Sequence, residues 1–448
     1  MEFLNVPLPQ SVLKQEGNGN FEEALQIVNS LLKKDLPAML RKRLEYEPER
    51  IRRLIEDYPY NEKEAKEKLS FMGVSEDEFE NLLKTGDIDY IIVEGKKKFE
   101  RRFLENFAFK FPKYKKHDDE REEITKLVNE RIDELLNGDK PKRYKVGAEI
   151  SVTLTKDYKD EKLRCWLPIP KVENPLESLD FVKCEGGEGD CKISPENSPS
   201  RTVYMEGSAK AGTTFKVKFE YVLHEQINHV DPDKVKESHK QAEFLKEKPP
   251  HIIFSKYLVN LTKEIVGNEK NPYLKARTIY DWMTRNIAYS YMNPYSIYDG
   301  SLAEFAAVNL RGDCGVKALL FITMCRIANI PAKWQSGWFI SQKGASPHDW
   351  AYFYVEPYGW LPADLSFGGA RKDNEKRRKF YFGNMDAFRM VANSEFMAPF
   401  YPPKKHVRSD PYDNQVGELE TKSQNIYYDG FSYEIKVPKF EELGNMFT

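Results

Sequence analysis

The stretch from Asn309 to Gly368 constrains the fold more than any other part of the chain. It holds Arg-Gly-Asp-Cys-Gly at 311–315, a helix-patterned run that stops at Ile330-Pro331, then Pro-His-Asp-Trp-Ala-Tyr-Phe-Tyr-Val at 347–355 and Gly-Trp-Leu-Pro-Ala-Asp at 359–364. Val316, Leu319, Leu320, Phe321, Met324, Ile327 and Ala328 recur at helical spacing. Gly312 supplies a turn and Asp313 is a good N-cap, so a helix is expected to begin at Cys314. A thiol attacks only as thiolate, and a helix N-terminus favours an anion by up to ~1 kcal/mol. Cys314 is therefore a candidate nucleophile.

The two segments that follow read as a hairpin. His348, Trp350, Tyr352 and Tyr354 fall on one face of a strand, and Asp349, Ala351, Phe353 and Val355 on the other. Pro357-Tyr358-Gly359 is turn chemistry, and Trp360 to Asp364 returns. The spacing from His348 to Asp364 centres on Glu356, so a short loop there would set the two directly opposite, with Cβ atoms roughly 4.5–5.5 Å apart. A cysteine at the start of an apolar helix is, by itself, an ordinary small buried side chain, and a strand histidine is ordinarily structural. The ordered set Cys314, His348, Asp364, each in fitting local structure, points instead to nucleophile, base and orienter.

Gly-Asp-Cys-Gly-Val-Lys-Ala-Leu-Leu, Ile-Pro-Ala-Lys-Trp-Gln-Ser-Gly-Trp, His-Asp-Trp-Ala-Tyr-Phe-Tyr-Val and Gly-Trp-Leu-Pro-Ala-Asp together resemble the core of the transglutaminase-like superfamily, over residues 250–370. The resemblance implies an α+β chain with a papain-like core in which Cys314, His348 and Asp364 act in those three roles. Cys314 would attack an amide or ester carbonyl, and the acyl-enzyme would pass to water or an amine. Hydrolysis of peptide-type amide bonds is the expectation, because no amine-binding signature is evident. Protein-glutamine ligation to amines and a non-catalytic protein-binding module on the same fold are the alternatives. Peptide N-glycanases share this core, but the Cys-x-x-Cys pair expected ahead of it is missing here. The Cys314 N–H is the natural oxyanion donor and Asn309 a candidate second one. The chemistry requires no cofactor and no metal.

Over 448 residues the formal net charge is −2, so a peptide or protein substrate is expected rather than nucleic acid or an anionic membrane. No apolar stretch approaches the ~20 residues of a membrane span, and the opening Met-Glu-Phe-Leu-Asn-Val lacks the features of a signal peptide, so the chain reads as cytoplasmic. The five cysteines, at 165, 184, 191, 314 and 325, are few and odd in number. Reduced thiols are expected, including Cys184 and Cys191, for which a bridge or a metal is the less favoured reading.

Four segments follow along the chain. Residues 1–140 read as a helical domain behind an extended arm, with a capping-box signal at Ser75 to Glu78. Its basic runs, Lys96 to Lys98 and Lys113 to Lys116, are interleaved with acids and read as solvated faces. Residues 141–245 read as a β-sandwich, beginning with the alternation Tyr144, Val146, Ala148, Ile150, Val152, Leu154. A similar sandwich precedes many bacterial transglutaminase-like domains. His224 and His229 flank Glu225 after a strand, which does not make a metal site. The linker Asp231 to Pro250 leads into a catalytic domain, 246–400, where Trp282 is expected in the core and Lys376 to Lys379 in a solvated loop. Residues 401–448 read as a tail with a hairpin signal at Asp429-Gly430.

Overall fold

The computed structural model describes residues 2–115, 117–159, 162–237, 240–409 and 412–445. Lys116 of one basic run, residues 238 and 239 of the linker and the last three residues of the tail lie outside them. The fold is α+β, in two compact units: Met1–His117 with Ala288–Ser301, and Asp118–Ile287 with Leu302–Thr448.

The first unit is mainly helical and has two apolar centres. Val12, Phe21, Ala24, Val28, Leu44 and Ile51 form one, from the helices Gln10–Gly17, Phe21–Leu32 and Ala38–Asp57. The last of these runs through Pro48. Leu69, Phe79, Leu82, Phe99, Phe103 and Phe107 form the other, which a small sheet including Tyr90–Val93 and Lys96–Phe99 helps to close. Ser75 caps its helix by accepting from Glu78 N at 3.2 Å. The reciprocal capping box lies at Asn61, whose side chain accepts from Glu64 N while Glu64 accepts from Asn61 N.

The second unit is built on three sheets. One runs Phe431–Asn445, Lys142–Leu154, Thr214–His224, Leu176–Gly186, and the next Asn425–Ile426, Glu418–Thr421, Lys162–Pro168, Thr202–Ser208, Lys192–Ile193. Alternate residues of both, among them Val146, Ile150, Leu163, Leu167, Val203 and Val217, share one apolar core, which is the arrangement of a β-sandwich. Trp338, Trp350 and Tyr352 of the third sheet belong to the same core. The third sheet runs Gly359–Ala363, Gly344–Val355, Ala332–Ser341, Arg389–Asn393. The helix Asp119–Leu136 also belongs to this unit, tied by Arg131 to Glu225 through two hydrogen bonds of 2.7 Å and by Asp133 to Arg377 at 2.6 Å and 2.8 Å.

Several expectations need correction. Cys184 and Cys191 form a disulfide. Gly186, Gly187 and Gly189, with φ of 80°, 83° and 74°, turn the chain back so that the two Cα atoms lie 6.7 Å apart, within bridging range. The hairpin of the tail pairs Leu419 with Ile426 and Glu420 with Asn425. Asp429-Gly430 instead carries the chain from that sheet to the other, where Phe431 pairs with Leu154. Trp282 is only half-buried: Ala276, Ile279, Tyr280 and Met283 form the buried stripe, and Trp282 stands about 100° around the helix from Met283. Lys376 to Lys379 lie on a short helix, Glu375–Phe380, rather than in a solvated loop. Arg378 on it is fully buried, donating to Asp281, Thr284 and Glu375.

Candidate active site

The helix Cys314–Ile327 starts at the expected residue. Asp313 caps it, its side chain accepting from Val316 N at 3.0 Å. From Gly315 to Arg326 every residue is buried, so this is a central helix rather than an amphipathic one, and its first residue, Cys314, is less buried than those that follow. Cys314 itself is half-buried.

His348 lies on the strand Gly344–Val355, opposite Gly337 of Ala332–Ser341. Its imidazole packs against Phe367, with ring centroids 4.9 Å apart. His348 Nε2 and Asp364 Oδ2 are 2.7 Å apart, and both side chains are buried. The pairing register is one step from the expected one. Val355 pairs with Gly359 and Ala351 with Ala363, so the loop is the three residues Glu356 to Tyr358 and centres on Pro357. Moving the centre by one residue moves the opposing position by two, which would set Asp364 across from Trp350 and keep it on the same face as His348, as a diagonal neighbour. The ladder ends at Ala363, and Asp364 becomes the N-cap of the short helix Leu365–Gly369. Its Oδ1 accepts from Ser366 N at 3.1 Å and Phe367 N at 2.9 Å.

Arg389 completes this arrangement, and nothing in the local sequence pattern marked it. It is fully buried, donates from Nη2 to Asp364 Oδ2 at 2.8 Å and from Nη1 to Asp386 Oδ1 at 3.0 Å, and lies over the Phe367 ring. Burial works to raise the Asp364 pKa, but His348, Arg389 and the Phe367 N–H together hold it below the usual carboxylate range. With Asp364 ionised, His348 Nε2 carries the proton it donates, and Nδ1 keeps the basic lone pair.

The hydrogen bond made by the thiol goes elsewhere. Cys314 Sγ donates to Asp349 Oδ2 at 3.2 Å. Burial, then Asp349 and Asp313, push the thiol well above its ordinary pKa, opposite to the expected effect of the helix N-terminus. A buried lysine, Lys317, follows three residues later on the same side of the helix, and burial lowers it to about 8 against the pull of Asp364 and Cys314. Asn309 does not serve the expected oxyanion role: it is exposed, and its amide donates to Phe305 O at 2.9 Å, one turn back on its own helix.

Residues 259–365 match the family model of the transglutaminase-like superfamily. This segment is a transglutaminase-like core. The matched span takes in Cys314, His348 and Asp364 and ends one residue beyond the last. An uncharacterised protein of Haemophilus influenzae is 25% identical over 193 residues, 36% of this chain and 52% of that protein, so the match spans about half the length of the curated relative. A candidate cysteine protease from Cytophaga hutchinsonii superposes with a TM-score of 0.44 at 15% identity, covering 69% of this chain and 93% of that one. The periplasmic domain of TgpA from Pseudomonas aeruginosa gives a TM-score of 0.27 at 13% identity, over 56% of this chain and 96% of that domain. Likenesses this loose bring no activity with them. The match places residues 259–365 in a fold class that includes cysteine-dependent enzymes, without a substrate. Among the described residues no helix is long and apolar enough to cross a membrane.

Proposed function

We propose that this chain is a cysteine hydrolase that cleaves peptide-type amide bonds through a thioester on Cys314, with His348 as base and Asp364 as orienter. The observation that supports it most is the 2.7 Å hydrogen bond between His348 Nε2 and Asp364 Oδ2, buried on the same transglutaminase-like core as a cysteine that opens a helix. His348 Nδ1 takes the Cys314 proton, and the sulfur attacks the carbonyl carbon. The tetrahedral oxyanion accepts from the Cys314 N–H at the helix start, where the unpaired amides of the first turn point. The imidazolium then protonates the leaving amine, and water activated by His348 cleaves the thioester. Asp364 holds the tautomer this requires and stabilises the imidazolium, as the Asp of a serine triad does.

A peptide or protein substrate fits a chain whose 69 basic and 71 acidic residues nearly balance. The compartment is open to a direct argument: the Cys184–Cys191 disulfide is of a kind that persists where the environment is oxidising, which weighs against the cytoplasmic expectation.

The test is acyl transfer from p-nitrophenyl acetate, read by nitrophenolate release and by the mass of the Cys314 peptide. A burst with an acetyl group on Cys314, lost in Cys314→Ala and in His348→Ala, supports the proposal. Adding a primary amine then separates the two fates of the thioester, since hydrolysis leaves acetate and ligation leaves the acetylated amine. A chain that never acquires the acetyl group on Cys314 is the binding module instead.

A further inference from the structure

The acyl-transfer scheme makes no use of the hydrogen bond that Cys314 makes. Its Sγ donates to Asp349 Oδ2 at 3.2 Å, and Asp349 is in turn held in place. Gln415 Nε2 donates to Asp349 Oδ1 at 2.7 Å and to His348 O at 3.1 Å, so one amide grips both the carboxylate and the backbone of the candidate base. Ser336 stands opposite Asp349 across the strand pair, and a second buried carboxyl, Asp413, faces Asp349 and Ser336.

Two buried carboxyls that face one another disfavour a second negative charge. Burial, then the Asp349 charge, push Asp413 well above the usual carboxylate range. Asp349 is the acceptor, which agrees with the two donors aimed at it, one from the Cys314 thiol and one from the Gln415 amide. Other charged groups that act on the sulfur are Asp313 at the helix cap and Lys317 on the thiol helix, and Asp364 bonds to His348. Asp349 bonds to the sulfur.

We propose that Asp349 is a positioning residue that holds Cys314 as a neutral thiol in the resting enzyme, and that the thiolate forms only when the sulfur turns from Asp349 to His348. The proposal rests on Cys314 being the nucleophile. When the sulfur turns, the S–H bond breaks, its proton passes to His348 Nδ1, the electron pair stays on sulfur, and Asp349 retains the Gln415 amide as donor. The free enzyme is then a poor nucleophile, and turning the sulfur to His348 converts it to a good one.

The test is the rate of Cys314 alkylation by iodoacetamide from pH 4 to 10, read by peptide mass on the full chain, in wild type, Asp349→Asn, Gln415→Leu and each of these with His348→Ala. Asp349→Asn removes the charge that opposes thiolate formation, and its alkylation midpoint is expected to fall by about one pH unit, roughly tenfold in thiolate at neutral pH. Gln415→Leu loosens the carboxylate and shifts the midpoint the same way by less, giving a second reading should Asp349→Asn fail to keep the wild-type melting curve. A folded Asp349→Asn whose profile overlays the wild type, while His348→Ala still lowers the rate of Cys314 alkylation, overturns the role of Asp349 and leaves the nucleophile intact. If His348→Ala changes no profile and Cys314 alkylates like N-acetylcysteine throughout, the nucleophile fails and Asp349 with it.

Discussion

Asp364 does more than orient an imidazole. Fully buried, it accepts from His348, from Arg389 and from two backbone amides of the helix it caps. Arg389 is the counter-charge that bonds to it directly and also serves Asp386. Replacing it with leucine leaves two buried carboxylates short of a partner, and a loss of about 3–5 kcal/mol is expected from urea unfolding at neutral pH. The sign of the pH dependence follows from the depressed Asp364: its contribution is fully present above the unfolded carboxylate value near pH ~4 and is lost as pH falls through the lower folded value. Asp413 runs the other way. Its folded pKa is raised, so its contribution is present below pH ~4 and is lost as pH rises toward the folded value. Asp413→Asn should therefore stabilise the chain at neutral pH and have little effect at pH 3, measurable as paired melts at the two pH values. Cys314, His348 and Asp364 stood out as candidates because each residue type sits in a local pattern that suits the role proposed for it. Asp349, Asp413 and Arg389 did not, because their meaning depends on contacts between residues far apart in the chain: Asp349 meets Cys314 35 residues back, and Arg389 meets Asp364 25 residues back.

At the scale of the element, the site hangs on a helix start and a hairpin. Asp313→Ala removes the cap on Val316 N, and a loss of about 0.5–2 kcal/mol in thermal or urea unfolding is expected. The helix start was readable from Gly312-Asp313-Cys314 and the apolar run behind it, since caps and periodicity are local signals. The hairpin register was readable only to within one step. Glu356-Pro357-Tyr358 allows loops of different length, and the sheet settles on three residues with Gly359 at φ 80°. Face assignment survived the slip because the change moved the opposing position by two. The short helices after Asp364 were obscured by Gly368-Gly369 and by the density of charge from Lys372 to Lys379, which reads as solvated until Arg378 and Arg377 are seen to reach Asp281 and Asp133, far back along the chain.

At the scale of the molecule, the second unit is assembled from sequence that does not run continuously. The strand Phe431–Asn445 pairs with Lys142–Leu154 across nearly three hundred residues. The chain's own alternation identified the strands near Lys142–Leu154 and Thr214–His224, but a local pattern carries no information about which distant strand completes a sheet. Ending the chain after Gly430 removes that partner and leaves Lys142–Leu154 as an open edge. The shortened chain is expected to aggregate and to lose its cooperative melt, as followed by light scattering with circular dichroism. For the molecule as a catalyst the claim is narrower: a transglutaminase-like core in which His348 takes the proton of Cys314. The most direct measurement is Cys314 alkylation by iodoacetamide across pH in wild type and His348→Ala. Because Asp349 holds the resting thiol neutral, the wild-type midpoint is expected above pH ~8.5, the ordinary thiol value, and because the thiolate forms by proton transfer to His348, the rate is expected to fall further in His348→Ala. Identical profiles for the two proteins would contradict the account.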